Sequence, residues 1–157
     1  MDTTIPSTPD DVQVRIIEWN SPEGELARAI RMQVFVEEMK VPVELEIDEI
    51  DESALHVVAC GSGAAPCGTA RMYPDPADPA VAIIGRVAVV RECRGGGCGR
   101  AMLQTLMNEA RAEGFEKIKL SSVVAVGAFY ETLGFYFVGE EYLDCGIPHR
   151  MMETRIN

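Results

Sequence analysis

Basic residues are in short supply. The 157-residue chain has 14 lysines and arginines against 25 aspartates and glutamates, a net charge of −11. So acidic a surface repels phosphate backbones and anionic bilayers, and neither a nucleic-acid nor a membrane partner is expected. Long apolar runs are also missing, since none approaches the roughly 20 residues that span a bilayer. The five cysteines, Cys60, Cys67, Cys93, Cys98 and Cys145, are odd in number and include no CxxC pair. That argues against a disulfide framework or a structural zinc, so reduced thiols, no metal and a cytoplasmic location are expected. Residues 1–11 are polar with two prolines and have no basic-then-apolar order, so they read as a flexible leader. What remains, 47% apolar and 25% charged, is the balance of one globular domain, expected over residues 12–157.

Residues 12–19 alternate apolar and polar, with β-branched side chains, and predict a strand. Ser21-Pro22-Glu23 is a helix start, and Leu26, Ile30 and Val34 carry the apolar face of a helix to about Met39. Residues 37–52 hold eight carboxylates and one lysine; they read as a solvated acidic loop or short helix, or as a substrate-facing acidic wall. Strands are predicted over Ala54–Cys60 and Cys67–Tyr73, and Pro74, Pro76 and Pro79 predict an irregular loop after them. Val81–Val90 is a nearly continuous apolar run, the mark of a central buried strand. A helix follows from Ala101 to Gly114, a strand at Lys117–Leu120, a short helix at Ala125–Thr132, and two closing strands, Phe135–Val138 and Arg150–Ile156. The order describes a mixed α/β fold around one sheet.

The clearest chemical signal is Arg94-Gly-Gly-Gly-Cys-Gly-Arg100 between the long apolar strand and its helix. Four glycines in five residues let the backbone bend tightly and approach a ligand closely. The loop enters a helix N-terminus, where N–H groups and the dipole favour an anion. Arg91, Arg94 and Arg100 add positive charge, so the segment reads as a pyrophosphate cradle. A P-loop would need Lys-Ser/Thr after the last glycine, and Arg100-Ala101 stands there. A dinucleotide-binding loop would follow the first strand of its unit, and this one follows the fourth.

The Arg-x-x-Gly-x-Gly form, met by Arg94, Gly97 and Gly99 after an apolar strand, resembles the acetyl-CoA motif of the GNAT acetyltransferase superfamily. Phe129-Tyr-Glu-Thr-Leu-Gly-Phe135 is similar to a second segment of that family. Val34-Phe-Val-Glu-Glu38, Glu46-Ile-Asp-Glu-Ile-Asp51 with His56, and Tyr142-Leu-Asp-Cys-Gly-Ile-Pro-His149 resemble its ElaA/YjcF-like branch. The resemblance covers roughly residues 12–156 and implies a central, mixed, splayed sheet flanked by helices.

It also implies acetyl-CoA as the cofactor and an amine of a small molecule or peptide as acceptor. Val87, Ala88 and Val89 would meet the pantetheine, with Ser122 on the neighbouring strand. Arg94, Gly95, Gly96, Gly97, Cys98, Gly99 and Arg100 would hold the pyrophosphate. Tyr130 matches the family's general acid, and its ordinary pKa of about 10 keeps it protonated at neutral pH. His149 is a candidate base because histidine titrates near neutrality. Glu44, Glu46, Asp48 and Asp51 are alternatives, as bases through water or as anchors for a cationic substrate, and Phe35 belongs to the same substrate-side segment. Arg71 and Arg86 lie on strands, where a lone charge is costly. They either pair with the acidic loop or grip a substrate anion. The branch often carries Asn-Ala-Gln before the Phe-Tyr segment, and this chain has Ser121-Ser-Val123 and Val124-Ala-Val126 there, which removes a polar amide. The expected activity is N-acetyl transfer, the alternative a CoA-binding sensor without turnover. A homodimer is compatible with the resemblance.

Overall fold

The computed structural model describes residues 12–157, and the predicted leader, residues 1–11, lies outside them. Seven strands form one sheet in the order β1-β2-β3-β4-β5-β7-β6. They are β1 (Gln13–Ile17), β2 (Leu55–Cys60), β3 (Pro66–Asp75), β4 (Asp78–Val89), β5 (Lys117–Val123), β6 (Tyr136–Asp144) and β7 (Ile147–Arg155). Only β4 and β5 are parallel among the registers defined; β1–β2, β2–β3, β5–β7 and β6–β7 are antiparallel. The α-helices are α1 (Pro22–Arg31), α2 (Val43–Glu46), α3 (Cys98–Ala112) and α4 (Gly127–Glu131). The described residues form two compact units, residues 12–72 with Arg86–Leu106, and Tyr73–Gly85 with Met107–Asn157.

In the first unit, α1 begins as its sequence predicts. The Ser21 hydroxyl accepts the Gly24 N–H at 3.2 Å, and Pro22 takes the first helical position. The α-helix ends at Arg31, short of the expected Met39, and the chain continues as a π-helix over Met32–Glu38. Its wide turns show in the Met39 N–H, which reaches back five residues to the Val34 carbonyl at 3.0 Å. Ile17, Trp19, Ala27, Val58 and Cys60 pack as one buried apolar cluster.

The acidic segment includes the short helix α2 and divides its charge: Glu37, Glu44, Glu49 and Glu52 are exposed, as the solvated reading expects, while others turn inward. Glu46 and Asp51 are 1% and 0% exposed, and Arg31 faces them from α1 at 1%. The Arg31 guanidinium lies 2.9 Å from Glu46 Oε2 and 2.7 Å from Asp51 Oδ1. Arg71 on β3 donates to Asp48 Oδ1 at 2.6 Å and to Asp51 Oδ1 at 2.8 Å. Arg86 on β4 lies 3.2 Å from Glu46 Oε2 and 3.4 Å from Asp48 Oδ2. Three guanidinium groups thus meet three carboxylates. Burial drives the Asp51 pKa up, but hydrogen bonds from Arg31, the Asp48 amide and Arg71 outweigh it and hold the carboxyl at about 2. His56 stacks on Trp19 with ring centroids 4.5 Å apart and donates from Nε2 to the Asp51 carbonyl at 2.9 Å. Burial lowers its pKa and keeps the ring neutral.

Contrary to the expectation of reduced thiols, Cys67 on β3 and Cys98 at the start of α3 form a disulfide across 31 residues. Spacing along the chain could not show this pair, because the sheet and helix bring it together. The approach is close: a Cβ on Gly68 would lie 2.8 Å from Met102 Cε of α3.

In the second unit, the proline-rich segment is a hairpin rather than an irregular loop. β3 runs to Asp75 and β4 starts at Asp78. The Asp75 carboxylate accepts the Ala77 N–H at 2.9 Å and shapes the turn. The β2–β3 register ends at Met72 and the β4–β5 register begins at Val81. Pro74 and Pro79 therefore stand where a missing N–H breaks neither ladder. The β4–β5 pairing spans only Val81–Ile84 with Lys117–Leu120, although β5 extends to Val123. Ile118, Leu120 and Ser122 alternate inward along β5. β6 and β7 meet at Cys145-Gly146, whose φ values of 51° and 77° suit a two-residue hairpin turn.

Asp51→Asn would leave Arg31 and Arg71 partly uncompensated in a buried site. The expected loss is about 3–5 kcal/mol, read as a lower denaturant midpoint at unchanged m-value. The Asp51 pKa is depressed in the fold, so its stabilisation is present above about pH 4 and lost as pH falls toward about 2. Denaturation midpoints at pH 5, 3 and 2 should fall in that window for the wild type, and less for the variant. For the disulfide, protein denatured without reductant should titrate three thiols, Cys60, Cys93 and Cys145, and five after reduction. Five before reduction would refute the bridge.

Candidate functional site

The first unit carries the glycine loop between the end of β4 and α3. Val87 and Val89 are half-buried and Ala88 is buried, in the alternation of a strand. Arg86 has a φ of 51°, a kink that re-aims β4 ahead of these residues. A single turn at Arg91–Cys93 follows, closed by the Cys93 N–H to the Val90 carbonyl at 2.9 Å. Gly95 and Gly97 take φ values of 84° and 93°, which L side chains rarely adopt. A Cβ on Gly96 would come within 3.3 Å of the Cys93 carbonyl. The first bond into α3 runs from the Ala101 N–H to the Gly97 carbonyl at 3.0 Å, so the Cys98 and Gly99 amides precede the helical ladder. A tight backbone turn, amides at a 15-residue helix start and no Cβ at Gly95–Gly97 fit a pyrophosphate. Cys98 is buried in its disulfide and contributes backbone only.

The Arg94 side chain turns to protein partners. Its Nε donates to the Val89 carbonyl at 2.9 Å, and Nη1 and Nη2 donate to the two Glu38 oxygens at 2.8 and 2.7 Å. Arg91 lies 3.3 Å from the same carboxylate. These hydrogen bonds, led by that from Arg94, hold the Glu38 carboxyl at about 2.

The substrate-side candidates of this unit are found in two settings. Phe35 is half-buried in the π-helix. Glu46, Asp48, Arg71 and Arg86 all belong to the guanidinium–carboxylate cluster, the pairing with the acidic loop that the strand arginines call for.

The second unit carries Tyr130, His149 and Ser122. Tyr130 on α4 is 8% exposed and packs edge-on against Phe129 and Phe135, with centroids 5.0 and 6.0 Å away. Burial pushes its pKa up to about 12, so the hydroxyl keeps its proton well beyond neutrality. His149 Nδ1 sits 2.7 Å from the Ile147 carbonyl. A carbonyl only accepts, so Nδ1 carries the proton in the neutral ring and Nε2 carries the lone pair. Tyr142 stacks on His149 with centroids 6.1 Å apart, and its hydroxyl hydrogen-bonds to Ser121 and donates to Met151 Sδ at 3.4 Å. The buried Ser122 donates from Oγ to the Val123 carbonyl at 2.8 Å.

Glu38, Arg31 and Tyr142 escaped the sequence reading as site residues. Arg31 left one signal, a charge four residues after Ala27 on the apolar face of α1. Glu38 stood only at the end of the Val34–Glu38 segment, and nothing local pairs it with a partner 56 residues away.

The sequence model of the acetyltransferase (GNAT) family matches residues 15–135. The uncharacterised N-acetyltransferase YjcF of Bacillus subtilis is 30% identical over 138 residues, 87% of this chain and 96% of the relative. An acyl-CoA N-acyltransferase from Pseudomonas aeruginosa superposes with a TM-score of 0.77 at 26% identity, covering 92% of this chain and 98% of that one. Escherichia coli ElaA has the same fold, with a TM-score of 0.79 at 23% identity over 91% of this chain and 99% of its own. With the mixed, mostly antiparallel sheet and the glycine loop leading into α3, these matches establish that the chain belongs to the GNAT acetyltransferase family, in its ElaA/YjcF-like branch.

Proposed function

We propose that the protein is an acetyl-CoA-dependent N-acetyltransferase acting on a primary amine of a small molecule or peptide. The observation that carries this reading is the Arg94–Gly99 loop, whose positive-φ glycines and helix-start amides suit a pyrophosphate. Bound acetyl-CoA would supply an activated acetyl thioester. The backbone of Val87, Ala88 and Val89 would orient the pantetheine, and Gly95–Arg100 would hold the phosphates. The attacking amine must lose a proton, and His149 Nε2, left as the acceptor by the Nδ1 bond, would take it. The departing thiolate needs a proton, and Tyr130, with its raised pKa, would carry one to it. Phe35 is proposed to line the acceptor side. Glu46, Asp48, Arg71 and Arg86 would shape that side by holding its segments together, since their charges already meet one another.

Acetyl-CoA binding by calorimetry tests the reading first. The wild type should bind, and Gly97→Trp should not, with circular dichroism showing that the variant folds. No wild-type binding at millimolar ligand would remove the cofactor reading. Binding with no thiol release across a broad amine panel would favour a sensor instead. With an accepted amine in hand, Tyr130→Phe should lower kcat by about 100-fold at unchanged acetyl-CoA affinity. An unchanged kcat across pH would exclude Tyr130 as the acid.

A further inference from the structure

We propose that Glu38 is a positioning residue for acyl-CoA binding: through Arg94 it holds the end of β4 and the glycine loop in their receiving geometry, while the Arg94 side chain itself reads no phosphate. The inference rests on the acyl-CoA reading above and adds a residue and a division of labour to it.

Three of the five N–H groups of the Arg94 guanidinium are committed to protein partners. Nε is committed to the Val89 carbonyl at 2.9 Å, and the Nη pair faces the Glu38 carboxylate in a two-point fork at 2.7 and 2.8 Å. A planar guanidinium that satisfies a carboxylate on one edge and a carbonyl at Nε is fixed in orientation as well as in charge. One side chain therefore joins three points: the last residue of β4, the first residue of the glycine loop and the last residue of the π-helix. Arg91 adds a fourth. It lies 3.3 Å from the same carboxylate, so Glu38 holds both flanks of the Arg91–Cys93 turn.

The electrostatics agree. Glu38 is ionised throughout the physiological range, and its single charge offsets one of the two positive charges of Arg91 and Arg94. Backbone amides and the α3 dipole add to the positive charge that remains, and the clamp aims these amides but does not supply them. The π-helix has a place in this. Its wide turns carry Glu38 at the end of the segment that bears Phe35, so the clamp ties the proposed acceptor side to the cofactor loop. The competing possibility is that Glu38 is a stand-in anion which the phosphates displace. The two differ in sign.

The test measures acetyl-CoA affinity by calorimetry for the wild type, Glu38→Gln, Glu38→Asp, Arg94→Met and the Glu38→Gln/Arg94→Met double variant. A positioning role predicts that Glu38→Gln weakens binding by roughly tenfold, that Glu38→Asp recovers part of it, and that the double variant binds no worse than Arg94→Met alone, the non-additivity of two groups acting as a unit. Hydrogen exchange on the ligand-free protein should show faster exchange of the 89–97 amides in Glu38→Gln at unchanged melting temperature. Tighter binding by Glu38→Gln would overturn the proposal in favour of displacement. Additive losses would return Arg94 to direct phosphate contact, and unchanged affinity with unchanged exchange would also overturn it. If the wild type binds no acetyl-CoA, the cofactor reading itself falls, while exchange still decides whether Glu38 orders the loop.

Discussion

Buried charge is the constraint around which the first unit is arranged. Arg31, Arg71 and Arg86 come from a helix and two strands, and Glu46, Asp48 and Asp51 from a short connecting segment. An ion taken out of water carries a desolvation penalty of several kcal/mol, recovered only if partners and geometry are nearly complete. The segment from Val43 to Glu52 therefore has few arrangements open to it. It must deliver Glu46 to Arg31 and Arg86, Asp51 to Arg31 and Arg71, and Asp48 between them. Such a cluster adds little net stability compared with a well-packed apolar core. What it contributes is register: a connection of low regularity is held at fixed points against α1, β3 and β4.

The glycine loop follows a different economy. Its shape rests on small residues and particular φ values, at Gly95 and Gly97, rather than on charge. The guanidinium and carboxylate groups nearby serve geometry, as Arg94 does through Val89 and Glu38. The same division runs through the second unit. There Tyr130 keeps its proton because burial disfavours the phenolate, and His149 has its tautomer set by a main-chain carbonyl. Polar side chains are oriented by backbone, and backbone by side-chain clamps.

Much of this was legible along the chain. β-branched alternation marked β1, a nearly continuous apolar run marked β4, the Ser21-Pro22 pair marked the start of α1, and Arg94-Gly-Gly-Gly-Cys-Gly99 announced a loop built for backbone contact. These are local features, set by side-chain sterics and by which residues tolerate positive φ. Two readings of local structure failed. The prolines at 74, 76 and 79 suggested a break in the strands, yet they occupy turn and open-edge positions of a hairpin. A proline disrupts a sheet only where its missing N–H was needed, and that depends on the neighbouring strands. The helix expected to reach Met39 kept its apolar spacing but changed to π-type turns at Met32, a change the spacing of Leu26, Ile30 and Val34 does not record.

By itself, then, the sequence determined the mixed α/β order, the glycine loop and its helix, and the family, because each depends on residues close together in the chain. Tertiary structure alone decided which charges face inward, that Cys67 and Cys98 meet, and that Glu38 meets the Arg94 fork. The reason is range. Periodicity and turn chemistry act over a few residues, whereas the pairings Arg31–Asp51, Cys67–Cys98 and Glu38–Arg94 span 20, 31 and 56 residues. Such contacts exist only once the sheet has folded, and their partners are chosen by the desolvation of whatever is left facing them.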